Sequence, residues 1–251
     1  MLNPLDTRVA GPPHLLLLIW LCLVSLVIFG SVVSIDQGLL QAMLSADRSQ
    51  ICIVVIAMTL VGFGHTYVRT ELISSELVAA ERVVARLETD NGALSMNSRS
   101  LQFANGDQAP HSFITNYLVA EYDHLRQAKD NNLADSNLLE AFSSKIRSAN
   151  EFGWFYIDLM LKIGFLGTLV GFILMLSSVA DTGALDATTM QKVLKHMSLG
   201  MSTALYTTLA SLVGGILLSL PYYLLDRGLE RLLQLTVYAK DVLLPARLSS
   251  N

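Results

Sequence analysis

Hydroxyl side chains and glycines occur together in two strongly apolar stretches in the second half of the chain. The first stretch, GFLGTLVGFILML at residues 164–176, has Thr168 among three glycines. The second stretch, GMSTALYTTLASLVGGILLSLP at residues 200–221, contains three hydroxyl residues of interest, Thr207, Thr208 and Ser211. A hydroxyl in such surroundings can hydrogen-bond its own backbone, contact another helix, or line a path for water or an ion.

The small and polar residues of each stretch fall on one helical face, at about 100° per residue. In the first stretch an arc of about 100° holds Gly164, Gly167, Thr168, Gly171, Met175 and Ser178. In the second, an arc of about 140° holds Gly200, Ala204, Thr207, Thr208, Ser211, Gly214, Gly215 and Ser219. Small residues let helices approach closely in lipid. We therefore predict helix-packing, subunit or partner contacts at Gly164, Gly167, Gly171, Gly200, Ala204, Gly214 and Gly215.

The two central threonines have similar depths in the predicted helices. Thr168 follows Trp154 by 14 residues, which is about 21 Å at 1.5 Å per residue, and Thr208 precedes Leu224 by 16 residues, about 24 Å. Antiparallel helices would bring both hydroxyls close to mid-membrane. The sequence predicts an ion path lined by Thr168 and Thr208 and supported by Thr207 and Ser211; helix packing alone is the alternative.

The elements that carry these residues are long apolar runs. There are four such runs, at 14–34, 51–67, 154–180 and 197–225, close to the roughly 20 residues that cross a bilayer. The composition, 52% hydrophobic and 15% charged, is also typical of a membrane protein. The first run has a longer apolar core than a signal peptide, and no small-residue cleavage site follows it. We predict an all-α, polytopic membrane protein with four transmembrane helices and long cytoplasmic helical extensions.

The distribution of Lys and Arg predicts the orientation. Residues 68–153 contain eight of them and the tail after residue 225 contains four, whereas the connections 35–50 and 181–196 have one and two. Basic residues favour the cytoplasmic side, so both termini and the long middle segment are predicted to be cytoplasmic. The predicted domains are a two-span hairpin (1–67), a cytoplasmic helical region (68–153), a two-span pore-forming module (154–225) and a C-terminal helix or tail (226–251).

Within the cytoplasmic segment, apolar residues at helical spacing continue the second span from residue 70 to a stop near residues 90–92. The polar stretch 93–111 is predicted to be a loop because it is rich in turn-forming residues. Helix is predicted to resume near residue 112, to pause at KDNNLADSN, and then to run without a break into the third span.

The sequence has no motif for a catalytic centre, a cofactor or a metal. It lacks a nucleotide-binding loop, a nucleophile elbow and any cluster of ligands at metal spacing. Cys22 and Cys52 both lie in apolar runs, and a net charge of −4 gives no reason to expect nucleic acid. We predict that the chain is not an enzyme.

Ionisable side chains are nearly absent from the spans. No Asp, Glu or His lies in the inner two-thirds of any run, although proton relays in membranes need such groups. If the protein conducts protons, the titrating group must come from a partner. Asp158 and Lys162 lie near the start of the third span and are a candidate cytoplasmic exit; an interfacial ion pair is the alternative.

The two stretches resemble the motifs of the MotA/TolQ/ExbB proton-channel family. The first family motif is approximately G-L-x-G-T-V-x-G, which Gly164, Gly167, Thr168 and Gly171 match. The second is approximately G-x-x-x-A-L-x-x-T-x-x-G-L followed by a proline, which Gly200, Ala204, Leu205, Thr208, Leu212 and Pro221 match. The chain departs from the family pattern at Leu161 (often proline), Thr203 (often glutamate) and Ser211 (glycine).

The resemblance implies a channel subunit in a bacterial inner membrane. In this family five copies surround a dimer of a single-span partner of the MotB, ExbD or TolR type, and each partner brings one membrane aspartate. Ion flow then drives rotation or force across the envelope. The ion (proton or sodium) and the machine (flagellar, Tol, Ton, gliding, defence or other) stay open. The alternatives are a membrane scaffold without ion conduction and a secondary transporter, which would need an internal repeat or a midplane binding residue.

Overall fold

A computed structural model describes residues 15–89, 95–97, 100–103, 107–131, 138–180 and 187–243. Within these ranges the chain forms six α-helices: α1 (Leu15–Asp36), α2 (Leu39–Ala46), α3 (Ile51–Thr89), α4 (Phe113–Asn131), α5 (Leu138–Ala180) and α6 (Ala187–Tyr238). A π-helical turn, Ala239–Leu243, follows α6. Two short strands, β1 (Ser95–Asn97) and β2 (Ser100–Gln102), pair as an antiparallel hairpin.

Among the described residues, four helical segments are long and apolar enough to cross a membrane, namely Leu16–Asp36, Ile51–Thr89, Leu139–Ser177 and Thr189–Leu243. The predicted all-α membrane fold is confirmed. The long extensions are present too, because α3, α5 and α6 continue well beyond the apolar runs as helices of 39, 43 and 52 residues. In α3 the apolar periodicity persists to Thr89 without a glycine or proline after Gly64.

The segment 93–111, predicted to be a loop, differs from that prediction in its described part. It contains the β1–β2 hairpin, in which Met96 lies opposite Leu101. In each strand one apolar residue lies between two polar residues. Three residues are too few for a period-2 pattern to be recognised among the surrounding polar residues.

The chain divides into two compact units. Unit 1 comprises Met1–Ile19, Val68–Asn150 and Leu224–Asn251, and unit 2 comprises Trp20–Tyr67 and Glu151–Tyr223. Unit 1 has a hydrophobic core of its own, formed by Leu77, Ala80, Val83, Val84, Leu87, Phe103, Ala109, Ile114, Tyr117, Leu118, Val119, Leu232, Ala239 and Leu243. Leu139, Phe142 and Ile146 of α5 pack against this core. It therefore joins α3, α4, α5 and α6.

Charged side chains also hold the helices of unit 1 together. Arg231 of α6 donates to Glu81 of α3 over 2.7 Å, and Lys240 lies 3.2 Å from Glu121 of α4. The Tyr117 hydroxyl also donates to the buried Glu121 carboxylate. Burial alone would lower the pKa of Lys240, but its hydrogen bonds with Glu121 and Tyr117 outweigh burial and raise this pKa. The end of α6 is thus held to both α3 and α4.

In unit 2, the turn between α2 and α3 is organised by Asp47. This buried carboxylate accepts hydrogen bonds from the Ser49 amide (2.9 Å), the Ser49 hydroxyl (2.6 Å) and the Cys52 amide (2.7 Å). These are the bonds of a side chain that caps the first turn of a helix. Burial alone would raise the pKa of Asp47, but the hydrogen bonds from Ser49 and Cys52 bring it below its ordinary value.

We expect Asp47→Ala to destabilise the protein by about 1 kcal/mol at neutral pH, because α3 loses its capping carboxylate. A lowered folded-state pKa gives stability that is complete above the unfolded pKa of about 3.9 and is lost as the pH falls through the lower value. The difference in thermal midpoint between wild type and variant in detergent should therefore shrink towards about pH 3. Asp36→Ala, at the exposed end of α1, is the control. An equal effect of both variants would contradict the capping role.

Candidate functional site

The centre of unit 2 is a close antiparallel crossing of α5 and α6. A Cβ atom added to Gly164 would lie 1.8 Å from the Ser211 hydroxyl oxygen, and one added to Gly167 would lie 2.6 Å from the Thr207 Cβ. A Cβ added to Gly171 would lie 2.7 Å from the Ala204 Cβ. Each distance is too short for any side chain larger than hydrogen. These three glycines bring the two backbones into contact, as small residues do in membrane helix pairs.

The other small residues on the predicted list extend the packing. Gly200 packs against Gly171 and Met175, where an added Cβ would be 2.8 Å from the Gly171 carbonyl oxygen. Gly215 faces Leu161 of α5. Gly214 instead faces α3, because a Cβ there would lie 2.6 Å from the Thr59 hydroxyl. The small face of α6 therefore contacts two helices.

Thr207 and Ser211 lie inside the crossing. Both are buried, with exposed fractions of 0% and 2%. The Thr207 hydroxyl donates to the carbonyls of Thr203 and Ala204, and the Ser211 hydroxyl donates to the carbonyl of Thr208. The sequence predicts both as supporting residues of an ion path, and the structure places them against the α5 glycines Gly167 and Gly164.

Thr168 and Thr208 lie at the edge of the crossing. Thr168 is half-buried and donates to the Phe165 carbonyl over 2.6 Å; Thr208 is exposed and donates to the Ala204 carbonyl over 3.2 Å. In each helix the threonine lies about 70° round the axis from the residues that contact the other helix, at 100° per residue. Viewed along the chain direction of each helix, the sense of this rotation is the same. Because the helices are antiparallel, this rotation leads to the same side of the pair. The structure thus brings these two predicted residues to one side.

The opposite side of the α5–α6 pair is covered by α3. The Tyr156 hydroxyl of α5 donates to the Met58 carbonyl over 2.8 Å, and the Thr59 hydroxyl lies 3.6 Å from the Met160 sulfur. Leu218 of α6 lies against Gly62. On the side with the two threonines, the part of unit 2 that the structure describes gives no contact from α1, α2 or α3 to the residues next to them.

We call the uncovered side the open face. It consists of Leu161, Phe165, Thr168, Phe172, Met201, Thr208 and Leu212. Phe165 is 64% exposed and Phe172 is 51% exposed, so large apolar side chains surround the two hydroxyls. A surface of this kind can face lipid. It can also bind an apolar helix that has one polar residue at the level of the two threonines.

Comparison with known families adds an independent finding. The sequence profile described as the MotA/TolQ/ExbB proton channel family matches residues 109–236, which include α4 and nearly all of α5 and α6. The chain belongs to the MotA/TolQ/ExbB proton channel family. Comparisons with curated proteins and with solved structures gave no match.

In this MotA/TolQ/ExbB member, Thr203 has a clear structural role. It is fully buried, and its hydroxyl donates to the Ala46 carbonyl over 2.8 Å and to the Leu199 carbonyl over 3.1 Å. The side chain therefore joins the C-terminal end of α2 to α6. This explains why threonine is accommodated where the sequence departs from the family pattern.

A second contact was not identified from the sequence. The His65 Nδ1 of α3 and the Tyr222 hydroxyl of α6 are 2.8 Å apart, and Tyr222 is buried. A Cβ added to Gly153 of α5 would lie 2.0 Å from the Tyr222 ring. Three helices of unit 2 therefore meet at this tyrosine.

Asp158 and Lys162, the predicted candidate exit, form an ion pair within α5. Their charged groups are 2.5 Å apart, and both side chains are more than half exposed. At about 100° per residue they lie roughly 80–120° round α5 from Thr168. The structure pairs these residues with each other and does not bring them together with the two threonines.

Proposed function

We propose that this chain is the channel subunit of a proton-driven, energy-transducing complex of an inner membrane. In this proposal five copies surround a dimer of a single-span partner, and a membrane aspartate of the partner passes Thr168 and Thr208. Residues 154–225 form the pore module, 1–67 the peripheral hairpin, 68–153 a cytoplasmic region and 226–251 a cytoplasmic C-terminal segment.

The observation that supports this proposal best is the open face. Two threonine hydroxyls are on one side of a glycine-packed helix pair, while α3 occupies the other side. A channel wall needs polar groups at positions where a helix pair would otherwise present only hydrocarbon. Hydroxyls can both donate to and accept from water or a carboxyl group. Because the inner parts of the spans contain no carboxylate or imidazole, the proton-carrying group is assigned to the partner.

The proposed orientation follows from the basic residues, which are concentrated in 68–153 and after residue 225. Both termini are then cytoplasmic, and the α2–α3 turn is on the outer side. Single cysteines at Ser49 and at Glu230 can be labelled with a membrane-impermeant thiol reagent in whole cells. Labelling of the cysteine at position 49 alone agrees with the proposed orientation. Labelling of the cysteine at position 230 alone would show the opposite orientation.

The decisive experiment purifies the chain with its co-purifying partner and measures both composition and conductance. Native mass spectrometry should show five copies of the chain. In liposomes containing a pH-sensitive dye, a potassium diffusion potential should drive proton entry. Five copies with sodium entry but no proton entry would identify a sodium channel, whereas a partner-free particle without ion flow would favour a helix-packing scaffold.

A further inference from the structure

The short helix α2 of unit 2 leaves much of its apolar surface uncovered. None of its eight residues is buried. Leu39 is 55% exposed and Leu44 is 39% exposed, although α2 lies in the chain between two helices that cross the membrane. Apolar side chains grouped on one exposed surface mark a site of interaction.

The residues of α2 divide into two sides. At about 100° per residue, four large apolar side chains share an arc of about 140°, and the two hydrogen-bonding side chains lie on the other side. This apolar arc consists of Leu39, Leu40, Met43 and Leu44, and the polar side consists of Gln41 and Ser45. Such a division suits a helix that lies at the boundary between hydrocarbon and water.

The connections of α2 keep it close to one surface of the membrane. The preceding helix α1 ends at Asp36, three residue steps before Leu39, which is at most about 11 Å. The following helix α3 begins at Ile51, five steps after Ala46. Because α1 and α3 both cross the membrane, α2 is held at the surface where the end of α1 and the start of α3 lie.

The contact between α2 and α6 defines how deep α2 lies. The buried Thr203 hydroxyl donates to the carbonyl of Ala46, the last residue of α2, over 2.8 Å. Thr203 is six residues inside the apolar run 197–225, which is about 9 Å along the helix axis. The C-terminal end of α2 is therefore level with an apolar part of α6, and the exposed Leu44 is only two residues from that end.

The apolar surface of α2 also continues the surface of the membrane spans. Val32 and Ile35 near the end of α1 are exposed, and so is Ile53 in the first turn of α3. These residues belong to the ends of the spans that the short connections join to α2. This continuity favours lipid over a protein as the partner that covers α2.

We propose that α2 binds the lipid bilayer directly, as an interfacial helix parallel to the membrane surface. The apolar arc is inserted about 5–10 Å into the boundary between headgroups and acyl chains, and Gln41 and Ser45 face the headgroups and water. Because α2 has no Lys or Arg, it binds the acyl chains and does not need anionic headgroups. This proposal depends on the membrane fold and not on ion conduction.

The test measures the depth of spin labels on α2 in the purified complex, reconstituted in phosphatidylcholine liposomes. Leu39→Cys and Leu44→Cys place a label on the apolar arc, and Gln41→Cys and Ser45→Cys are the matched controls on the polar side. Oxygen concentrates among the acyl chains, whereas a water-soluble nickel complex stays outside them. The ratio of oxygen to nickel collision rates, measured by electron paramagnetic resonance, therefore increases with depth.

The two native cysteines are compatible with this experiment. Cys22 is exposed and is replaced by alanine in every variant, whereas Cys52 is fully buried and is kept. Cys22→Ala without a new cysteine gives the background signal. Circular dichroism and the subunit composition of each labelled variant should match those of the wild type.

We expect the collision ratio at positions 39 and 44 to be several times the ratio at positions 41 and 45. It should not change when phosphatidylglycerol replaces part of the phosphatidylcholine. Low, equal ratios at all four positions would place α2 in water and overturn the proposal. Exclusion of both reagents at positions 39 and 44 would show that a protein covers the apolar arc, and a requirement for phosphatidylglycerol would show recognition of headgroup charge; either result also overturns it.

Discussion

Replacement of Thr208 by valine is expected to abolish most ion-driven activity while leaving assembly intact. Valine has the shape of threonine, so the α5–α6 crossing should keep its packing. The hydroxyl is exposed on the open face and donates only to the Ala204 carbonyl of its own helix, which means that its removal leaves no buried donor behind. A hydrogen bond to a charged group contributes about 1.5–3 kcal/mol, so flow should fall about tenfold to a hundredfold.

Thr207→Val is a closely matched control, since it makes the same substitution at the adjacent residue. Thr207 is inside the crossing, where its hydroxyl donates only to backbone carbonyls of α6, and its loss should leave proton entry near the wild-type rate. Thr168→Val should behave like Thr208→Val. If Thr207→Val reduces proton entry as much as Thr208→Val, residues inside the α5–α6 crossing also line the ion path. If all three variants conduct normally, the three hydroxyls serve only in helix packing.

Replacement of Gly167 by valine is expected to disrupt the channel module itself. Even the Cβ of an alanine would lie 2.6 Å from the Thr207 Cβ, and valine adds two further methyl groups. The backbones must then separate along the crossing, with a cost of about 3 kcal/mol, the upper part of the range for overpacked cores. Unfolding in detergent, followed by circular dichroism, should show the lower stability, and native mass spectrometry should show loss of the assembled complex.

Gly64 of α3 supplies the control for this second prediction. It is also a glycine inside an apolar helix, but a Cβ added there meets no atom within 4 Å. Gly64→Ala should therefore be tolerated, whereas Gly167→Ala should already destabilise the protein. The double variant Gly167→Ala with Thr207→Gly removes the colliding side chain and should recover part of the stability. A stable, assembled Gly167→Val protein would contradict the crossing described above.

Much of the architecture can be predicted from the sequence because it depends on local chemistry. Apolar runs of sufficient length predict the membrane helices, and unbroken helical periodicity predicts their extensions. The glycine motifs also predict that α5 and α6 approach closely. These features need no knowledge of which distant residues meet.

The side of each helix that faces its neighbour cannot be predicted in this way. Thr207 and Thr208 are adjacent, lie on the same small arc and have the same chemistry, yet one is in the crossing and the other is exposed. Only the position of α5 separates them. Likewise the Thr203–Ala46 and His65–Tyr222 contacts each join residues 157 positions apart, and no local pattern in a single sequence records such proximity.

The continuity of α6 has a mechanical consequence. Its 52 residues form a rod of about 78 Å at 1.5 Å per residue, and an α-helix resists twisting because each turn is tied to the next by backbone hydrogen bonds. Pro221 removes one of these bonds and its ring crowds the carbonyl of Leu217, so the helix is stiff on each side of the proline rather than across it. In unit 2, a rotation of α6 about its axis that moves Thr208 on the open face must therefore also move Thr207 and Ser211 against the α5 glycines.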